Sequence, residues 1–87
     1  MYVIIVYDVN VDRVNRVKKF LRKYLHWVQN SVFEGELTEA DLEEVKLGLK
    51  DIIDESEDMV VIYRFRSEKV FKKEVMGFDK SKIDEII

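Results

Sequence analysis

The first strand is the tightest constraint on what this chain can become. Tyr2 to Tyr7 read Tyr-Val-Ile-Ile-Val-Tyr, a run of strand-forming residues with no polar side chain on either face. A strand with one face in water alternates apolar and polar residues, so this one must be covered on both sides. Met59 to Tyr63 is nearly as apolar. Any acceptable fold has to bury two faces of one sheet, and a chain of 87 residues has material for one core and one domain.

The order of elements supplies cover for one face only. After Asp8, Asn10 is a candidate helix N-cap, with Asp12 favoured by the dipole in the first turn. Val11, Val14, Val17, Leu21, Tyr24 and Leu25 then recur at spacings of three and four, which predicts an amphipathic helix. Trp27 to Glu36 is strand-like, ending in a turn at Gly35, and is either one bent strand or a tight hairpin. Thr38 opens a second helix with Asp41 three residues on, a capping-box variant, followed by Leu42, Val45, Leu49, Ile52 and Ile53. Met59 to Arg66 is a strand, and Val70 to Met76 is expected to pair with it across a turn at Ser67-Glu68. Lys80 to Ile87 is either a short strand or a last helical turn. This order gives an α+β domain, an antiparallel sheet with both helices on one face. The economical cover for the bare face is a second copy joined through a two-fold axis, where the same patch meets itself. The alternative is that both apolar strands are simply central in the sheet.

The net charge of -3 hides a segregation along the chain. Residues 10 to 26 hold six basic groups against Asp12 alone, while residues 34 to 58 hold eleven acids against Lys46 and Lys50. A nucleic acid, if bound, should touch the first segment and avoid the second. Arg13 and Arg16 stand out there, because they fall in the turns nearest Asp8 and guanidinium groups hold phosphates well. The charge content, at 38% of residues, with no cysteine, resembles proteins from hot environments.

Much chemistry is excluded by the inventory. Without cysteine there is no disulfide, iron-sulfur cluster or thiolate zinc site, and one histidine, His26, builds neither a zinc site nor a well-supported triad. The three glycines form no phosphate-cradling loop, and Arg64-Phe65-Arg66 lacks the glycine pattern of an RNA-recognition sheet. The apolar runs are far shorter than the roughly 20 residues of a membrane span, and no export signal is visible, so a cytoplasmic protein without a membrane partner is expected. Carboxylates and hard metals remain. Asp8 ends a very apolar strand just before a helix start, and at a dimer axis it would meet its own copy, giving a magnesium ion oxygen ligands from two chains. Its alternative role is that of a loop-capping aspartate. Tyr7, on the other sheet face, is expected to serve packing.

Tyr7-Asp8-Val9 after the apolar strand, Arg16-Val17 in the first helix and the string Val28-Gln29-Asn30-Ser31-Val32-Phe33-Glu34-Gly35 closely resemble the second of the two core CRISPR-associated adaptation proteins, the small partner of the CRISPR integrase. The resemblance covers essentially the whole chain. It implies a ferredoxin-like βαββαβ fold over residues 1 to 87, with residues 27 to 36 supplying the second and third strands. It also implies a homodimer in which an extra C-terminal strand, about residues 80 to 87, adds to the partner subunit's sheet. By the same resemblance the activity is a magnesium-dependent phosphodiesterase on RNA or DNA, with Asp8 as catalytic residue and metal ligand. Arg16 becomes a phosphate contact, and Ser31 and Phe33 site-proximal, nucleic-acid-binding residues. The partners are nucleic acid and the CRISPR integrase during spacer capture in antiviral defence. One departure is Trp27, where the family usually has a basic residue before the Val-Gln pair. Competing expectations are a non-catalytic DNA-spanning scaffold for the integrase, a related toxin-type ribonuclease, and a ligand-binding module of the same fold.

Overall fold

A computed structural model of the chain describes residues 1–84. Four strands form one antiparallel sheet: β1 (Tyr2–Asp8), β2 (His26–Gln29), β3 (Val32–Glu36) and β4 (Met59–Phe65), in the order β2-β3-β1-β4. Helix α1 (Val11–Leu21) follows β1, and helix α2 (Glu39–Ile52) follows β3. This is the ferredoxin-like βαββαβ arrangement. A 3-10 turn at Glu68–Val70 and a short helix, α3 (Ser81–Asp84), complete the described chain.

The expected caps form. The Asn10 side chain accepts from the Asp12 backbone N–H at 2.9 Å, which starts α1 without a proline or glycine. At α2 the Thr38 hydroxyl accepts from the Asp41 N–H at 3.0 Å while the Asp41 carboxylate accepts from the Thr38 N–H at 3.2 Å, a reciprocal capping box. Val17, Leu21 and Leu25 then meet Leu42, Val45 and Leu49 above Val3, Ile5, Tyr7 and Phe33, all of them buried. This is the one core.

β1 divides the molecule by parity. Val3, Ile5 and Tyr7 are buried under the helices, whereas Tyr2, Ile4 and Val6 are only half-buried on the opposite face. In register with them on β4 are Phe65, Tyr63 and Val61, and Asp8 pairs with Met59. Tyr63 and Met59 are exposed. The side of the sheet away from the helices is therefore apolar and partly open.

Two local expectations are corrected. Trp27 to Glu36 is a hairpin, but its turn lies at Asn30-Ser31, where Asn30 takes a φ of 36°, a left-handed value that asparagine tolerates. Gly35 sits inside β3 opposite Val3; a Cβ there would lie 3.1 Å from Leu25 Cδ2, so glycine makes room for that core side chain. Val70 to Met76 forms no strand against β4. Phe71 instead sets its ring against Tyr2 and Phe65, at centroid distances of 5.6 and 4.7 Å, and Lys73 forms an ion pair with the nearly buried Glu34. A carboxylate removed from water needs a cation, and pairing along the β4 edge would forfeit both contacts. Burial and the Glu34 charge push the Tyr2 hydroxyl up to about 12. Ser81–Asp84 is a helical turn, one of the two forms read for Lys80 to Ile87, and the Asp79 carboxylate caps it by accepting from the Ser81 N–H at 3.0 Å. The rest of the expected C-terminal strand, residues 85–87, lies outside the described residues.

Candidate functional site

Asp8 is the last residue of β1, exposed, with its side chain on the open face by strand parity. Its surroundings are held from both sides. Towards β3, the Tyr7 N–H donates to the Ser31 carbonyl at 3.0 Å, so the hairpin turn is tied to the strand end one residue before Asp8. Towards β4, the connection from β1 to α1 is pinned by Asp58: its carboxylate accepts from the Asn10 N–H at 2.9 Å and from the Asp54 N–H at 2.8 Å. Two backbone loops and the strand end thus converge on one rim of the sheet.

Arg13 completes that anchor instead of facing phosphates. Its Nε donates to Asp58 Oδ2 at 2.7 Å and its Nη2 to Oδ1 at 3.1 Å, and Nη2 also reaches Glu57. The Asp58 side chain is completely enclosed. The Arg13 guanidinium, with backbone donors from Asn10 and Asp54, holds the Asp58 carboxyl well below the usual carboxylate range, and the two acids raise Arg13 in turn. This corrects the expectation for Arg13: a guanidinium spent on a fork to one carboxylate and a contact to a second has little left for a ligand. Sequence reasoning missed Asp58, since an acid before a strand carries no signal of the four donors that folding directs at it.

Phe33 is corrected in the same way. It is fully buried, on the helix face opposite Ile5, with its ring 6.2 Å from that of Tyr7, and no nucleotide reaches it. Tyr7 packs as expected, and burial raises its hydroxyl. Ser31 lies in the turn beside the end of β1, half-buried. Arg16, in the second turn of α1, is exposed and makes no ion pair among the described residues. The rim thus joins Asp8 and Ser31, leaves Arg16 available and withdraws Arg13 and Phe33.

One chain brings a single free carboxylate, that of Asp8, to this end of β1. A magnesium ion takes six oxygens, yet no group of three or more His, Asp or Glu side chains able to hold a metal occurs among the described residues. Asp58, next to the β4 residue that pairs with Asp8, is committed to its own donors. Asp8 alone supplies two carboxylate oxygens, and the remaining positions around such an ion would fall to water or to another chain.

Charge is distributed unevenly around the rim. The loop before β4 carries Asp54, Glu55, Glu57 and Asp58, while α1 exposes Arg16 and Lys19, with the exposed Lys23 just past the helix end. No helix among the described residues is long and apolar enough to cross a membrane.

Comparison with known proteins follows this geometry closely. The profile of the family described as CRISPR associated protein Cas2 matches residues 1–73. A protein of Archaeoglobus fulgidus named CRISPR-associated endoribonuclease Cas2 2 is 75% identical over 80 residues, spanning 92% of this chain and 87% of that one. The CRISPR-associated endoribonuclease Cas2 of Thermococcus kodakarensis is 62% identical over the whole of both chains. Among solved structures, one titled as the crystal structure of cas2 superposes with a TM-score of 0.85 at 58% identity, covering 93% of this chain and 91% of that chain. Streptococcus pyogenes Cas2 at pH 6.5 superposes with a TM-score of 0.78 at 35% identity, covering 88% of this chain and all of the other. With the fold, the Asp8 rim and these likenesses in agreement, the chain belongs to the CRISPR-associated Cas2 family.

Proposed function

We propose that this chain acts as a homodimeric, magnesium-dependent endonuclease on RNA or DNA in the cytoplasm, partnering the CRISPR integrase in spacer acquisition for antiviral defence. Support for a nuclease comes from the endoribonuclease names of its relatives. The observation that carries the dimeric site is the placement of Asp8 at the uncovered end of an apolar sheet face. Phe71 and Lys73 cover that face at its Tyr2 and Glu34 end, leaving Ile4, Val6, Val61 and Tyr63 beside Asp8. A copy docking on what remains uncovered has its two-fold axis near Asp8, so two Asp8 carboxylates approach one another. Together they double the oxygen donors of the half-site, and a magnesium ion held there would neutralise charge on a phosphodiester and lower the pKa of a bound water. The chain's own part is to orient Asp8 through the Ser31 and Asp58 anchors and to hold phosphates with Arg16.

The single free carboxylate that each chain brings to the rim favours a second reading, in which the same dimer is a DNA-spanning scaffold and cleavage is incidental. Asp8→Asn separates the two, because it keeps shape and removes the charge that holds a hard cation. Incubated with labelled RNA and duplex DNA, with magnesium or chelator, the variant should lose cleavage by about a hundredfold or more while light scattering still gives a dimer. Wild-type cleavage by Asp8→Asn would remove Asp8 from the mechanism, and a monomeric wild-type protein would remove the shared site.

A further inference from the structure

Lys18 is the one cation on α1 that the fold holds in place without neutralising it. Its ammonium lies 4.8 Å from the centre of the Trp27 ring and makes no ion pair among the described residues. The contrast with Arg13 is direct: two carboxylates cancel the Arg13 charge, whereas an aromatic face attracts a cation and leaves its charge and its N–H donors intact. Trp27 is itself fixed. It pairs with Phe33 on the helix face of the sheet, beside the irregularity between Trp27 and Gln29, and its Nε1 donates to the Asn30 carbonyl at 3.0 Å. That carbonyl belongs to the turn whose next residue, Ser31, is bonded to the β1 end at Tyr7. A chain of contacts therefore runs from the Asp8 rim through the hairpin turn to the indole and on to the ammonium.

We infer that Trp27 is a positioning residue that presents Lys18 as a fixed phosphate contact for the nucleic-acid backbone, on the β2 side of the rim. This rests on the nucleic-acid-binding reading proposed above and deepens it by naming the side of approach. The acidic loop of Asp54 to Asp58 disfavours a polyanion on the β4 side, and the exposed Lys19 follows Lys18 on the same helix. A lysine on a flexible stem loses rotamer freedom when it grips a phosphate; held over the ring, Lys18 has lost part of that freedom already. Neither residue touches a reacting atom in this arrangement, so the effect falls on binding.

The test uses the full chain with two probes, a dye-labelled single-stranded RNA and a dye-labelled duplex DNA, each titrated across a salt series. Lys18→Met keeps the stem and removes the charge. It should weaken binding about threefold or more at 0.1 M salt and lower the slope of log K against log salt by roughly 0.7 to 0.9, the share of one phosphate. Trp27→Leu should weaken binding with the salt slope kept, Trp27→Phe should restore much of the loss, and Trp27→Leu should add nothing in the Lys18→Met background. Additive losses in that cycle, with no rescue by phenylalanine, would make Trp27 merely structural and overturn the inference. An unchanged affinity and slope for Lys18→Met on both probes would overturn it too. Failure of the wild type to bind either probe at low salt would instead remove the nucleic-acid reading on which it rests. Because Trp27 is the only tryptophan, its emission should also shift on addition of the bound probe, and a wild-type spectrum that never moves counts against Lys18 as the contact.

Discussion

Gly48→Ala tests how closely the two helices are fitted. Gly48 lies within α2, where replacing glycine by alanine ordinarily gains about 1 kcal/mol of helix stability. Here a Cβ built on the backbone would stand 2.1 Å from Phe20 Cζ and 2.6 and 2.8 Å from the two Cε atoms. Carbon atoms rest at about 3.5 to 4.0 Å from one another, so the ring must withdraw by roughly 1.5 Å. Phe20 is half-buried against the core, with the Tyr24 ring tilted beside it at 5.4 Å, and it is the far end of a side chain that has to move rather than backbone. The cost belongs in the middle of the about 1 to 3 kcal/mol range for overpacking and outweighs the propensity gain. We expect a net loss of about 1 kcal/mol, which lowers Tm by about 4 to 8 °C in a domain of this size. In a Phe20→Ala background the ring is gone and the same substitution should gain about 1 kcal/mol, a coupling near 2 kcal/mol between residues in contact. Thermal and urea unfolding of the four proteins at one fixed concentration measures both quantities, since Tm depends on concentration for any chain that self-associates. A rise in Tm for Gly48→Ala in the wild-type background would refute the close fit.

Asp58→Asn should flatten the acid limb of the stability profile. A carboxyl held below its ordinary value of 3.8 contributes stability that is complete above that value and fades as pH falls through the folded one, so unfolding midpoints measured between neutral and strongly acidic pH should converge for wild type and variant at the acid end. Phe33→Leu should cost about 1 to 2 kcal/mol of stability yet leave the affinity of the folded protein for labelled RNA unchanged. Weaker binding at wild-type stability would return Phe33 to the nucleic-acid surface.

Local chemistry was legible in the residues themselves. Asn10, Thr38 and Asp41 announce two helix starts because caps act over three or four residues, and the spacing of Val17, Leu21, Leu42, Val45 and Leu49 predicts the buried faces for the same reason. The doubly apolar Tyr2 to Tyr7 run disclosed the need for cover on both sides, and the Val28 to Gly35 string pointed to the family. What the sequence by itself could not determine was which charges and rings meet across long separations. Arg13 and Asp58 are 45 residues apart, and only folding spends the one on the other. Phe33 looked available until strand parity turned it under the helices, and Val70 to Met76 looked like a strand until Phe71 and Lys73 found Tyr2, Phe65 and Glu34. Periodicity records how each residue faces its own element, whereas an ion pair or a ring contact depends on where two elements are brought together, and that is decided by tertiary packing alone.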